Sequence, residues 1–216
     1  MALDARNILV GASPLYLSKK DSTDVSYAAV LPEGSNVTSG SSILNDAKTG
    51  LRNSTLSAAY RNVGYTNNGL QITYNPTYGS VTVDQLLDTA KLFKESMEVM
   101  IATELSEGTL ENVLAVFGQG SDTLNDGELG LAAGALGIAP TERQLIAVGQ
   151  APTVDGSGTA QKAERVYYAR RVLSVQQSQF SLARNAATTF PVTFRLLPDA
   201  AYSGKEYGVI VDRVLS

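Results

Sequence analysis

Residues 94–118, KESMEVMIATELSEGTLENVLAVFG, change period half-way along with no proline between the halves. Glu95, Met97, Val99, Ile101, Thr103 and Leu105 fall on one side of a period-two pattern. Ser96, Glu98, Met100, Ala102 and Glu104 fall on the other. Successive strand side chains point to opposite faces, so this is a strand with one apolar face and one that carries acid. Leu110, Val113, Leu114 and Phe117 then follow at the i, i+3, i+4, i+7 spacing of a helix stripe. Ser106 and Thr109 supply capping oxygens at its start, and Gly118 suits the position after its end. A one-sided strand that hands over to a one-sided helix must bury both against one core. Met97, Val99 and Ile101 are therefore expected to meet Leu110, Val113, Leu114 and Phe117. The predicted fold class is mainly β, a sandwich or barrel with one or two short helices on a sheet.

Alternation recurs through the chain. Leu70, Ile72 and Tyr74 alternate with Gln71, Thr73 and Asn75, and a turn is expected over the Asn75–Gly79 stretch NPTYG. Val81 and Val83 then alternate with Ser80, Thr82 and Asp84. The reading is a hairpin whose polar side faces water, on a sandwich surface or in a water-filled channel. NILVGASPLYL opens the chain as a short strand, a turn at Ser13-Pro14 and a second extended piece. Residues 144–148, AERVYYARRVLSVQQSQFSL, FPVTFRLLPD and YGVIVDRVL read as further strands. From Gly34 to Ser57, 15 of 24 residues are Ser, Thr, Asn or Gly, and Val37, Ile43, Leu44, Leu51 and Leu56 show no period. Only some thirty residues precede it, too few for a separate domain, so it reads as a long polar loop that orders against a neighbouring subunit. A Gly/Ala-rich insertion occupies about 119–140, within a single domain spanning 1–216.

Composition narrows the chemistry. The 216 residues suffice for one domain with its own core. The chain has no cysteine, which excludes disulfides and thiolate metal sites, and no histidine, which removes the commonest general base and zinc ligand. Seventeen basic against twenty-one acidic residues give a net charge of −4, unlike a protein that grips phosphates. The densest basic cluster is Arg165, Arg170 and Arg171, and the tyrosines between them are read as core rather than as base-stacking platforms. Neither GxxxxGK[ST] nor GxGxxG is present between a strand and a helix, nor is a GxSxG elbow. Glu98 and Glu104, the one carboxylate pair worth weighing, lie six residues apart on one strand face, roughly 20 Å and too far to share a bond. Two Asn-x-Thr sequons, at Asn36 and Asn53, fall in the polar loop. No apolar run reaches membrane-spanning length and the N-terminus lacks a signal-peptide pattern, so a soluble, cytoplasm-made protein is expected. No catalytic residue, cofactor or metal is expected.

The stretch YRNVGYTNNGLQITYNPTYGSVTVDQ, followed by ESMEVMIATELSEGTLENVLAVFG, resembles the tail tube (major tail) proteins of tailed bacteriophages. The resemblance covers residues 60–118 well. It extends loosely to 187–212, where FPVTFRLLPDAAYSGKEYGVIVD is similar to the family's closing pair of strands. It implies a β-sandwich flanked by a helix and assembled into hexameric rings stacked as a hollow tube. Each subunit would give strands to a continuous barrel around the lumen through which DNA passes into the host. Thr73, Thr82, Asp84, Glu98 and Glu104 would then face the lumen, where acids repel phosphates. The segment 34–57 corresponds to the family's long loop over the adjacent ring, carrying Val37, Ile43, Leu44, Leu51 and Leu56. The implied partners are further copies of the chain, a tape measure protein, a tail terminator and baseplate or tail-tip proteins. DNA would pass without specific binding, in the virion tail assembled in the host cytoplasm, with a long non-contractile tail favoured. The Ala/Gly run at 127–139 has no counterpart in the family pattern. The alternatives are another tube component (a tail terminator or the tube of a contractile injection system), a carbohydrate-binding β-sandwich, and a carboxylate hydrolase.

Overall fold

The computed structural model describes residues 11, 13–24, 41–44, 50–82, 89–133, 139–152, 162–176, 178–182, 184–185 and 187–215. The strands are β1 (Leu15–Ser18), β2 (Tyr60–Asn62), β3 (Thr66–Thr82), β4 (Thr89–Leu105), β5 (Leu124–Asn125), β6 (Glu128–Leu129), β7 (Arg143–Gln150), β8 (Ala163–Ser174), β9 (Phe190–Leu196) and β10 (Gly208–Val214). Two α-helices among the described residues, α1 (Ser54–Ala59) and α2 (Leu110–Val116), accompany them, with a single 3-10 turn at Ser121–Thr123. The fold is mainly β, as expected from the alternation.

One sheet holds eight strands in the order β2-β1-β7-β8-β9-β4-β3, with β10 also on β8. The described pairings within it are antiparallel. The sheet forks at β8. The first part of that strand, Ala163–Ala169, pairs with β10, and Val172–Ser174 pair with β9. Arg170 sits at the fork, buried, with its guanidinium 3.6 Å from the Tyr202 ring centre and its Nε donating to the Lys205 carbonyl. Gly208 starts β10 at φ +145°, where a Cβ would collide with the Tyr168 carbonyl.

The main core lies on the inner face: Leu15 and Leu17, Leu145 and Ala147, Ala169 and Val172, alternate residues of β9 (Phe190, Val192, Phe194 and Leu196), and Val99, Ile101 and Leu105. The alternation of β4 works as read, with Val99, Ile101, Thr103 and Leu105 buried between half-exposed even-numbered residues. A second core covers the outer face of β1, β7 and β8, where Tyr16, Ile146, Val148, Val166 and Tyr168 meet Ile43, Leu44, Leu51, Leu56 and Tyr60. Both faces of β7 are thereby buried, which suits its continuous apolar run.

Three expectations are corrected. No turn occurs at 75–79: β3 runs straight through Pro76 for 17 residues, paired with β4. It lies at the end of the strand order, where a residue without an N–H is tolerated. The α2 stripe is rotated: Leu114 is buried and Val113 packs on the main core, but Leu110 and Phe117 are 39% and 38% exposed. Asn112, Ala115 and Val116 are buried beside Leu114, because the Asn112 amide donates to the Val63 and Glu107 carbonyls and accepts from Arg61. Thr109 caps the helix as expected, whereas the Ser106 amide donates to the Tyr65 carbonyl. Finally, the polar segment has anchors of its own. Ile43, Leu44, Leu51 and Leu56 are buried against the chain's own sheet, and Asn53 caps α1. Val37 lies outside the described residues.

Candidate functional site

The β3–β4 hairpin is the most unusual feature of the molecule. Each strand has 17 residues, yet β4 pairs with β9 only from Met100 to Leu105. The remainder leaves the body of the sheet as a two-stranded arm. On its inner face, Ile72 pairs with Ile101, Tyr74 with Val99 and Pro76 with Met97, so an apolar stripe runs outward from the core. Beyond the core it is uncovered: Tyr74 is 60% exposed, and Tyr78 and Leu92 are exposed also. Lys94 stacks over Tyr74, 5.7 Å from the ring centre.

The other face of the hairpin and β9 is polar. It carries Gln71, Thr73 and Asn75 from β3, Glu98, Ala102 and Glu104 from β4, and Thr193 and Arg195 from β9. Glu98 and Arg195 form an ion pair at 3.5 Å, both partly exposed. Glu104 accepts from the Asn67 amide at 3.2 Å. A shallow hollow of about 180 Å³ on this face is lined by Gln71, Glu104, Gln176, Pro191 and Thr193 among others. The bulge at Asn68–Gly69, both at positive φ, bends β3 toward it and presents the Gly69 carbonyl to Thr103.

Of the residues expected on one channel face, Thr73, Glu98 and Glu104 are together. Thr82 is not with them. It lies nine residues along an uninterrupted strand from Thr73, and the two irregularities between them insert their extra residues in β4, so it points to the opposite face. Asp84 lies outside the described residues.

Arg195, which neutralises one of the two acids, carries no local sequence signal. The basic cluster is also spent within the chain. Arg165 makes a two-pronged pair with Asp212, whose pKa it lowers, Arg171 grips Glu142, and Arg170 is in the fork. Tyr168 is buried and Tyr167 packs on the main core, as expected for tyrosines of the core. Among the described residues, no three His, Cys, Asp or Glu side chains cluster as a metal site would require. No helix among them is long and apolar enough to cross a membrane.

In comparisons with known proteins, no family model and no curated protein matches the chain.

Proposed function

We propose that this chain is a structural subunit that assembles with itself into stacked hexameric rings, forming the tube of a phage tail through which DNA is delivered to the host. The observation that carries the reading is the hairpin arm: two 17-residue strands, apolar on one face and polar on the other, extending past the partner that would cover them. Such strands expose backbone donors and acceptors that invite another chain, and closing the sheet across subunits removes those edges. The sequence resemblance over residues 60–118 supplies the kind of assembly.

In a closed ring the polar face of β3, β4 and β9 lines the lumen. Glu98 contributes little net charge there because Arg195 sits beside it. Glu104 carries the negative ring, and six-fold repetition gives six such charges at one level. Their repulsion acts over roughly 8–10 Å in physiological salt, which keeps DNA from adhering without any base contact. Thr73 and Gln71 complete a wet, uncharged surface around it.

Negative-stain microscopy of the purified protein tests the reading. Rings or tubes are expected across a concentration series. A compact monomer at every concentration would overturn it, and single rings that never stack would favour a terminator-like component instead.

A further inference from the structure

Apart from the three-residue β2, three long strand edges of the main sheet have no neighbour among the described residues: the outer edge of β3, the part of β4 before Met100, and the edge of β10 away from β8. They differ in charge. The open part of β4 carries Lys91, Lys94, Glu95 and Glu98, the kind of protection that keeps an edge from accepting a strand. β3 has no charged residue in TNNGLQITYNPTYGSVT, and Ile72, Tyr74, Tyr78 and Val81 are exposed along it. β10 has two charges, and both are consumed: Arg213 by buried Glu164 and Asp212 by Arg165. Ile210 beside them is 63% exposed.

Resting on the tube reading above, we infer that β3 of one copy adds its Ile72–Val81 stretch to the open edge of β10 of the next copy. β3 brings no charge of its own to this pair, and both charges of β10 already have ion-pair partners, so no like charges oppose it. A mainly apolar groove of about 450 Å³ borders β10, lined by Ile72, Tyr74, Met97, Tyr207, Val209 and Ile210 among others, with Lys94, Lys205 and Glu206 also on its wall. The aromatic side chains of the incoming β3 cover it, while backbone hydrogen bonds set the register. Because β3 and β10 are different surfaces, their pairing can pass head-to-tail from copy to copy, which generates rings or helices in place of a closed two-fold dimer. Pairing of β3 with β3 would give the dimer.

The chain has no cysteine, so an introduced thiol is unique. Copies carrying a single cysteine at each β3 position from Ile72 to Val81 in turn, Pro76 and Gly79 excepted, are mixed with size-tagged Ile210→Cys copies. The mixtures are oxidised under assembling conditions and run on non-reducing gels, with microscopy in parallel. A disulfide needs Cα atoms within roughly 7 Å, so a mixed-size dimer is expected at one or two positions and lost at the rest. Tubes that form with no mixed dimer at any position would overturn the β3–β10 pairing and leave the tube reading standing. Same-size dimers of β3 variants would overturn it in favour of symmetric pairing. A position-210 thiol that stays reactive in assembled tubes would assign that edge to a different protein. A chain that never assembles would overturn both readings.

Discussion

Replacing Asn112 by leucine tests whether an amide, and not the apolar stripe, sets the seat of α2. The side chain is almost completely buried and makes three hydrogen bonds: to the Val63 carbonyl at 2.8 Å, to the Glu107 carbonyl at 2.9 Å, and from Arg61 Nη1 at 2.6 Å. Leucine keeps the branching and the number of heavy atoms, though its methyl groups are bulkier, and removes all three. The orphaned Val63 oxygen is fully enclosed and costs about 1–3 kcal/mol, and the two part-buried partners add roughly 0.5–1 kcal/mol each. Arg61 is already strained electrostatically: burial, with Arg143 nearby, pushes its pKa down to about 10, and it retains the Glu111 carbonyl as an acceptor. The expected loss is therefore about 2–4 kcal/mol in spite of the gain in hydrophobicity. Urea unfolding followed by circular dichroism reads it, since the chain has no tryptophan. Leu110→Ala, on the exposed side of the same helix, is the control and should stay within about 0.5 kcal/mol. A leucine variant as stable as the parent, or a control that loses more, would refute the amide's role and restore the stripe drawn from periodicity.

Leu114→Ala is expected to cost about 2–5 kcal/mol in the same assay, because Leu114 is buried in the helix interface. Glu164→Ala removes the carboxylate that pairs with buried Arg213 and frees Ser42 and Ile43, so a loss of about 3–5 kcal/mol and faster tryptic cleavage after Arg52 are expected; unchanged proteolysis would count against the anchor. Changing Glu98 and Glu104 together to lysine should leave the fold intact and slow DNA ejection from assembled phage most strongly at low salt, and salt-independent ejection would remove these residues from the lumen. Tyr16 is held neutral by burial, its pKa raised to about 12, so its contribution is whole below pH 10 and lost as pH rises through 12. Tyr16→Phe should blunt that alkaline loss, and identical pH–stability curves would refute it.

Much of the frame is legible in the residues themselves. The odd–even contrast of β4, the Thr109 cap and the strands β7 to β10 all follow local rules of period and capping. The failures share a cause, which is that a distant partner decides the outcome. Asn-Pro-Thr-Tyr-Gly reads as a turn until β4 lies alongside to hold it straight. Asn112 interrupts an apolar pattern until Val63, Glu107 and Arg61 surround it. Ile43, Leu44, Leu51 and Leu56 have no period because they meet a sheet face as separate points and not as one element. Arg195 is invisible beside Glu98 because 96 residues separate them before β9 pairs with β4. The polar face was readable, and its charge balance was not.

The strand order also governs when each contact becomes available during synthesis. β3 and β4 are neighbours in sequence and form their hairpin locally, whereas β9, the next strand of the sheet, ends at Leu196, about 90 residues after β4. At ribosomal rates of about 5–20 residues per second, the hairpin waits roughly 5–20 s for that partner. β1 waits longer still for β7. For that interval the β4 edge that β9 will cover stands open as well, beside the uncharged, aromatic β3, among nascent copies of the same chain. The property that would serve polymerisation in the finished subunit is, on the ribosome, a hazard of premature aggregation, and slow long-range pairing prolongs it.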